Sequence, residues 1–352
     1  MSDVVEEVIA GPVQPGRPWR ATPRSVAPQI GLGLGSAVIA LVVVLVSGLA
    51  GFDGWLLVFV PISIFGTWWA ARGRGVVASR DAIATNAIVT IAGVAFYPVL
   101  SLLWTVLSRG IDALNWNFLS SDMRIASPDD ELNMGGALHA LIGTLMMVTI
   151  ATVVTLPLGI LTAVYVTEVR GRLRGVVRFV IQSMSGVPSI VAGLFIYSTV
   201  VMGMNRFSGL AGGLALAILM LPTVARTAEE VLKLVPDDLR SASYALGAPE
   251  WRTTLFVVLP TVRSGVVTSG ILGVARIAGE TAPLLLTASY FTAKTFSPTE
   301  GPVASLPVFT FGLLQSGTEN SFARAWACSL LLLLAVFVLF SVARGLSGKD
   351  KR

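Results

Sequence analysis

Cysteine, histidine and charged side chains are scarce in this sequence. Its 352 residues include one cysteine, Cys328, and one histidine, His139. A single thiol excludes an internal disulfide framework. One cysteine and one histidine also cannot supply a metal site built from sulfur and nitrogen ligands. Charged residues make up 13% of the chain, well below the roughly 25% that is typical of a soluble domain.

A nucleotide-binding loop is missing as well. No G-x-x-x-x-G-K-[ST] motif occurs, and the one lysine that follows a glycine, Lys349, precedes an aspartate. In many ATPases that motif cradles the phosphates of the nucleotide. We therefore expect no cofactor on this chain, and we expect any ATP and Mg²⁺ to be bound by a separate polypeptide.

Apolar residues fill 54% of the sequence, which is more than one soluble core can bury. Each crossing of a bilayer needs ~20 apolar residues. Eight stretches are candidates, at about 30–50, 54–71, 86–107, 138–166, 180–202, 209–226, 263–288 and 323–343. These stretches predict an all-α integral membrane protein, a polytopic bundle of about eight transmembrane helices that has the lipid bilayer as its main partner.

Basic residues lie between those stretches, and their distribution predicts the orientation. The net charge is +5, but the cations form no patch of the kind that binds nucleic acid, so we expect no nucleic-acid partner. Segments on one side of the bilayer hold 19 of the 25 Lys and Arg residues, and segments on the other side hold five. Because cytoplasmic loops are enriched in these residues, both termini are predicted to lie in the cytoplasm.

The polar stretch 227–262 has the pattern of a short amphipathic helix. Pro236 and the two aspartates after it indicate a helix start. Leu239, Ala242 and Leu246 then recur on one helix face, and Gly247 is placed to end the helix. We expect this apolar face either to fill a groove of a partner protein or to rest on lipid headgroups.

A second helix is predicted to follow that glycine. Pro249 suits the first position of a helix, and Leu259-Pro260 marks a break before the seventh apolar stretch. Together the two helices would form a compact knob on the cytoplasmic side.

Two charged residues, Arg276 and Glu280, interrupt the seventh apolar stretch. A charge at the bilayer centre costs ~2.5–3.5 kcal/mol even on the lenient insertion scale. Four residues apart, the two side chains would share one face of a helix and neutralise each other. One interpretation is an ion pair that fixes helix packing. The other places Arg276 in the path of an anionic substrate, because a guanidinium offers paired donors to an oxyanion.

The polar stretch resembles the "EAA" loop of bacterial ABC importer permeases, E-A-A-x3-G-x9-I-x-L-P. Ala242, Gly247, Leu259 and Pro260 match that pattern, while Ser241, Ser243 and Val257 depart from it. The resemblance implies that these four residues belong to a coupling loop that docks into an ATPase subunit. The serine in place of the motif's glutamate leaves that position without its usual acid.

Longer motifs are similar to the PstA family, the permease subunits of phosphate ABC transporters. They are ARIAGETAPLL at 275–285, PSIVAGLF at 188–195 and SYALG at 243–247. The resemblance covers about residues 86–343 and implies a six-span type I importer core of the MetI-like class. It also implies that Arg276 and Glu280 take part in transport, and that the partners are a PstC-like permease, a PstB-like ATPase dimer and a PstS-like extracytoplasmic phosphate-binding protein.

The domain organisation then follows from the spans and the resemblance. It comprises a cytoplasmic tail 1–28, an accessory transmembrane hairpin 29–84, a first core span with an extracytoplasmic linker 85–137, the type I permease domain 138–343 with its coupling loop at about 227–262, and a cytoplasmic tail 344–352.

The predicted function is import of inorganic phosphate through the bacterial cytoplasmic membrane, by a transport subunit that is not itself an enzyme. Two alternatives remain: a permease for another oxyanion such as sulfate or molybdate, or an ion-coupled secondary transporter.

Overall fold

The computed structural model describes residues 23–49, 51–169 and 171–346, and within these ranges the chain is helical and contains no strand. The predicted tails, 1–28 and 344–352, lie mostly outside the described residues. The helices are α1 (Pro23–Ser47), α2 (Gly51–Ala71), α3 (Val76–Ala113), α4 (Trp116–Ser120), α5 (Leu138–Val164), α6 (Arg174–Met184), α7 (Ser189–Ile196), α8 (Met202–Met204), α9 (Gly209–Lys233), α10 (Asp237–Ala245), α11 (Glu250–Thr253), α12 (Leu259–Thr261), α13 (Arg263–Ala278), α14 (Ala282–Thr287), α15 (Leu306–Ser316) and α16 (Glu319–Leu346). Short π-helical segments continue α5, α7 and α11; they are Tyr165–Val169, Tyr197–Val201 and Thr254–Val258.

The first of two compact units comprises the described residues from 23 to 102. In it α1 and α2 form a hairpin, in which the indole nitrogen of Trp55 donates to the carbonyl of Ala37 at 3.2 Å. The N-terminal part of α3 completes this unit. Its helices carry many exposed apolar side chains, as expected of helices that face lipid or a membrane partner.

The second unit, the described residues from 103 to 346, is built around the crossing of α5 and α9. A glycine lets the two helices approach closely, because a Cβ atom at Gly213 would lie 2.6 Å from the side chain of Ile150. Methionine and leucine side chains fill the adjacent core; they include Met147, Leu216, Met220 and Leu284. The crossing of α5 and α9 is the most extensive helix contact of this unit, and α13, which carries Arg276, packs against both helices.

Two of the predicted spans are not continuous helices. The stretch 180–202 is broken between Met184 and Ser189, where the chain bends by 104°. The stretch 263–288 is broken after Ala278, and α14 begins only at Ala282. Within the described residues six helices are long and apolar enough to cross a membrane, or up to eight if each of two bent helix pairs is one span. The prediction of a polytopic helix bundle is therefore confirmed, while two of its predicted spans are interrupted by breaks that the apolar runs do not reveal.

The predicted loop 289–322 also contains a helix, α15, that the sequence reading missed. Its residues Leu306, Phe309 and Leu313 are buried in an apolar cluster within the second unit. Ser305 caps the helix, because its hydroxyl accepts a hydrogen bond from the N–H of Val308 at 3.3 Å. With 11 residues the helix is too short for an ordinary span, which is why a search for long apolar runs passed over it.

Candidate functional site

The segment 237–262 is here called the coupling elbow. Its first helix, α10, begins after Pro236 and ends before Gly247, as the sequence predicts. Pro236 is extended, with φ −60° and ψ 141°, and the first turn of α10 carries Asp237 and Asp238. After the helix Gly247 adopts φ +81°. Its N–H donates to the carbonyl of Tyr244, and the next N–H donates to the carbonyl of Ser243, at 2.9 and 3.2 Å. This pair of hydrogen bonds is a Schellman motif, which requires a left-handed residue at the position of Gly247.

The rest of the elbow departs from the prediction in small ways. Pro249 precedes the second helix as its N-cap instead of opening it, and α11 begins at Glu250. Leu259 and Pro260 lie within the short helix α12, and the chain bends by 75° after it, where α13 begins. Leu259 packs against a buried apolar cluster, whereas Pro260 is exposed. The predicted break is thus present two residues beyond Pro260.

One arginine ties the elbow to the membrane helices. The guanidinium of Arg240 donates to both carboxylate oxygens of Glu168, at 2.9 and 3.1 Å, in the π-helical segment after α5. It also donates to the backbone carbonyls of Leu232 and Val235, at the end of α9. The carboxylate of Glu168 raises the pKa of Arg240 above its ordinary value. Because paired, charge-assisted hydrogen bonds are strong and directional, this contact fixes α10 relative to α5 and α9.

A buried hydroxyl pair joins the two halves of the elbow. The side-chain oxygens of Ser243 and Thr253 lie 2.8 Å apart, so a hydrogen bond holds α10 against α11. Ser243 is one of the positions at which the sequence departs from the EAA pattern, and this contact gives its hydroxyl a structural purpose.

The apolar face of α10 is open in this chain. Leu246 is 89% exposed, and Leu239 and Ala242 are exposed as well. Trp251 and Phe256 add further exposed apolar surface on the following segment. Several large apolar side chains exposed within one short segment are typical of a surface that another molecule covers.

The second predicted site lies at the break between α13 and α14. Arg276 is exposed in the last turn of α13, and its guanidinium donates to the hydroxyl of Thr223 on α9 at 2.8 Å. Among the described residues this is the one hydrogen bond of that side chain. Glu280 lies beyond the helix end, where its own N–H donates to the carbonyl of Ile277 at 3.2 Å.

The expected intrahelical pair of Arg276 and Glu280 is therefore wrong. The helix ends at Ala278, so the two residues do not share a helix face, and no ion pair between them occurs in the described part of the chain. A guanidinium that is exposed and has one neutral partner keeps most of its donors available for an anion.

Sequence reasoning missed a third arginine, Arg324, near the start of α16. It is 1% exposed, and its guanidinium donates to four backbone carbonyls of the segment between α4 and α5. These carbonyls belong to Ser127, Asp130, Glu131 and Met134, at 2.6–3.0 Å. Its sequence signal was weak: a single cation six residues before the leucine run that begins at Leu330. Arg324 fixes the predicted extracytoplasmic linker to α16.

Comparison with known proteins defines the class to which this arrangement belongs. Residues 155–349 match the family "Binding-protein-dependent transport system inner membrane component". This match includes the coupling elbow and Arg276, and it makes the chain a multi-pass membrane permease component. The chain also has a low similarity to the inward-facing MetNI methionine ABC transporter, with 19% identity and a TM-score of 0.48 over 60% of this chain and 93% of that one.

More similar relatives narrow the class. The chain is 40% identical over 260 residues to "Phosphate transport system permease protein PstA 1" of Mycobacterium tuberculosis, covering 73% of this chain and 85% of that one. It is also 40% identical to "Phosphate transport system permease protein PstA" of Yersinia pestis, covering 71% and 84%. The chain belongs to the PstA family of permeases.

Proposed function

We propose that this chain is a permease subunit of an ATP-driven importer that carries inorganic phosphate across the bacterial cytoplasmic membrane. The observation that carries the proposal is its 40% identity to permeases that are named for phosphate transport. The exposed guanidinium of Arg276 supports it chemically, since a planar pair of N–H donors suits a phosphate oxyanion.

The separation of Glu280 from Arg276 gives each of them its own task in this proposal. Arg276 attracts the anion, while the carboxylate of Glu280 accepts a hydrogen bond from the substrate. Phosphate keeps a proton near neutral pH and can donate it, whereas sulfate and molybdate are fully deprotonated and cannot. Glu280 would then favour phosphate over those oxyanions, because a carboxylate that faces an unprotonated anion is repelled by it.

The transport path would lie between this chain and a PstC-like permease, with both termini in the cytoplasm. A PstB-like ATPase dimer would bind ATP and Mg²⁺, and it would cover the apolar face of α10 around Ala242 and Gly247. A PstS-like binding protein would deliver phosphate from outside. The exposed Leu246 and the basic loops on the side of the elbow support this arrangement.

ATP binding would close the ATPase dimer and displace the coupling elbow. Arg240 joins α10 to Glu168 and to the end of α9 by direct hydrogen bonds. A displacement of α10 would therefore also move α5 and α9. Thr223, the hydrogen-bond partner of Arg276, lies on α9 as well. Motion of the elbow would therefore alter the surroundings of Arg276, which couples ATP use to the exposure of the substrate site.

The test is uptake of labelled phosphate into vesicles that contain this chain with its permease, ATPase and binding-protein partners. We expect uptake with ATP inside the vesicles and none with a non-hydrolysable analogue. Labelled sulfate and molybdate should not accumulate. Accumulation of either without phosphate would assign another oxyanion, and phosphate uptake that does not depend on internal ATP would indicate an ion-coupled transporter instead.

A further inference from the structure

The first unit contains a cavity that the family match does not include. Its volume is about 570 Å³, and it lies between α1, α2 and the N-terminal part of α3. Cavities of ~300–1,000 Å³ with mostly apolar walls and a few polar groups are typical of ligand sites between membrane or bundle helices. The family match begins at residue 155, beyond every residue that lines this cavity.

The cavity is long and runs along the helices. On α2 its lining extends from Phe52 to Thr67, which at ~1.5 Å per residue is roughly 22 Å. One leaflet accounts for half of a hydrocarbon core of ~30 Å, or roughly 15 Å. The cavity is thus long enough to hold an extended hydrocarbon chain that enters from one leaflet.

Its two ends differ in polarity. Phe52, Trp55 and Tyr97 line one end, where the rings of Phe52 and Tyr97 stack with centroids 3.7 Å apart. Thr67 and Asn86 line the opposite end. The hydroxyl of Thr67 donates to a carbonyl of its own helix at 2.7 Å, so this donor is already paired and needs no acceptor from a ligand.

The side chain of Asn86, unlike that of Thr67, has a hydrogen-bond donor that no described residue pairs. Its side-chain amide nitrogen is buried and has no hydrogen-bond partner among the described residues. An unsatisfied amide at membrane depth costs several kcal/mol. The polar end of the cavity therefore lacks an acceptor oxygen that a ligand could supply.

Cations lie just beyond this polar end. Arg72 and Arg80 are both exposed, at the end of α2 and in the second turn of α3, where Asp81 is the neighbouring acid. Arg80 precedes Asn86 by six residues, roughly 9 Å along the helix. A basic side chain near the membrane surface attracts anionic headgroups with ~1 kcal/mol.

We propose that this cavity binds one acyl chain of an anionic phospholipid. The chain lies against the aromatic wall, an ester oxygen accepts a hydrogen bond from the amide of Asn86, and the phosphate rests beside Arg80. The leaflet is the cytoplasmic one if the proposed orientation is correct, but binding itself does not depend on what the permease transports.

Native mass spectrometry of the complete transporter tests this site. The complex is reconstituted in vesicles of phosphatidylglycerol and phosphatidylcholine, extracted in mild detergent, and its retained phospholipids are counted. Gly93 lines the cavity, and a Cβ at this position would meet no atom within 4 Å, so we expect the ring of Gly93→Phe to occupy cavity space. Gly35 also has open space but does not line the cavity, which makes Gly35→Phe the matched control.

We expect wild type and Gly35→Phe to retain one phosphatidylglycerol that Gly93→Phe loses. Asn86→Leu should bind phosphatidylglycerol about tenfold more weakly than wild type, as expected for one lost hydrogen bond. Arg80→Gln should retain phosphatidylglycerol and phosphatidylcholine in equal amounts, because it lacks the cation that prefers the anionic headgroup. The proposal is overturned if Gly93→Phe and Asn86→Leu retain as much lipid as wild type, or if a membrane polypeptide occupies the cavity instead. Should Gly93→Phe fail to fold, the Asn86 and Arg80 variants decide. Uptake of labelled phosphate in the same vesicles reports separately on the proposed function.

Discussion

Two regions of this permease each hold an arginine at the end of an apolar helix, and they use it in opposite ways. At the start of α16, Arg324 is buried and donates to four carbonyls. At the end of α13, Arg276 is exposed and donates to one hydroxyl. The comparison teaches that a cation whose terminal guanidinium nitrogens are both bound by the protein stabilises the fold, whereas a cation left with most of its donors free is available for a ligand.

Arg240 in the coupling elbow resembles Arg324 in that its guanidinium is bound by several protein groups. Its donors are spent on Glu168, on Asp237 and on two carbonyls at the end of α9. We therefore expect loss of Arg324 or of the Arg240 contacts to reduce stability or coupling. Loss of Arg276 should reduce transport and leave stability nearly unchanged.

The largest effect on stability is expected for Arg324→Met, which keeps the bulk of the side chain but removes every donor. Four part-buried carbonyls lose their partner, and at ~1 kcal/mol or more for each lost hydrogen bond the free energy of unfolding should fall by about 4 kcal/mol or more. Denaturation of the purified complex in detergent measures this. The control is Arg109→Met, since Arg109 is exposed and contacts the ring of Trp326 at 5.8 Å. If Arg109→Met lowers the free energy of unfolding as much as Arg324→Met does, the buried hydrogen bonds of Arg324 are not what stabilises the fold.

Glu168→Gln should have the next largest effect. It removes the charge that faces the part-buried guanidinium of Arg240, and a hydrogen bond between charged groups contributes ~1.5–3 kcal/mol. We expect a stability loss in that range and fewer phosphate ions transported per ATP hydrolysed.

The control for Glu168→Gln is Asp237→Asn, because Asp237 also accepts from Arg240 but its side chain is 92% exposed. A surface pair of this kind contributes ~0–1 kcal/mol. If Asp237→Asn uncouples transport as strongly as Glu168→Gln does, the link through α5 is not the one that transmits the motion.

Gly247→Ala is expected to have a smaller effect, about 1 kcal/mol, because a Cβ is unfavourable at φ +81° even though the surrounding space is open. The ATPase rate of the assembled complex should rise relative to uptake as the elbow loosens. Gly175→Ala provides the control, since Gly175 lies within α6 at an ordinary φ with open space around it. There alanine should stabilise the helix by up to about 1 kcal/mol.

Local rules explain which parts of the site were predictable. The start of α10 at Pro236 and its end at Gly247 follow from backbone preferences of single residues, so the sequence reveals them. The order of the long apolar helices along the chain follows from the apolar runs, which are also a local property.

Long-range partners were not predictable in the same way. Arg240 and Glu168 are 72 residues apart, and Arg324 contacts carbonyls about 190 residues earlier. Helix periodicity placed Arg276 and Glu280 on one face, but the chain leaves the helix at Ala278, before the second residue is reached. The glycine at 279 precedes Glu280 directly and was the available signal for that break.

The smallest effect on stability is expected for Arg276→Ala. The guanidinium is exposed and has one neutral partner, so the free energy of unfolding should change by less than about 1 kcal/mol. Thr223→Val, which removes that partner and keeps the cation, is the matched variant. Its transport loss should be smaller than that of Arg276→Ala.

The initial rate of ATP-dependent phosphate uptake by vesicles with the Arg276→Ala complex tests the central claim most directly. Loss of a hydrogen bond to a charged substrate costs ~1.5–3 kcal/mol, so we predict a rate roughly 10–100-fold below wild type from a complex that assembles and hydrolyses ATP normally. A variant that assembles and takes up phosphate at the wild-type rate would contradict the role of Arg276 in the substrate path. A variant that fails to assemble would show that Arg276, like Arg324, serves the fold.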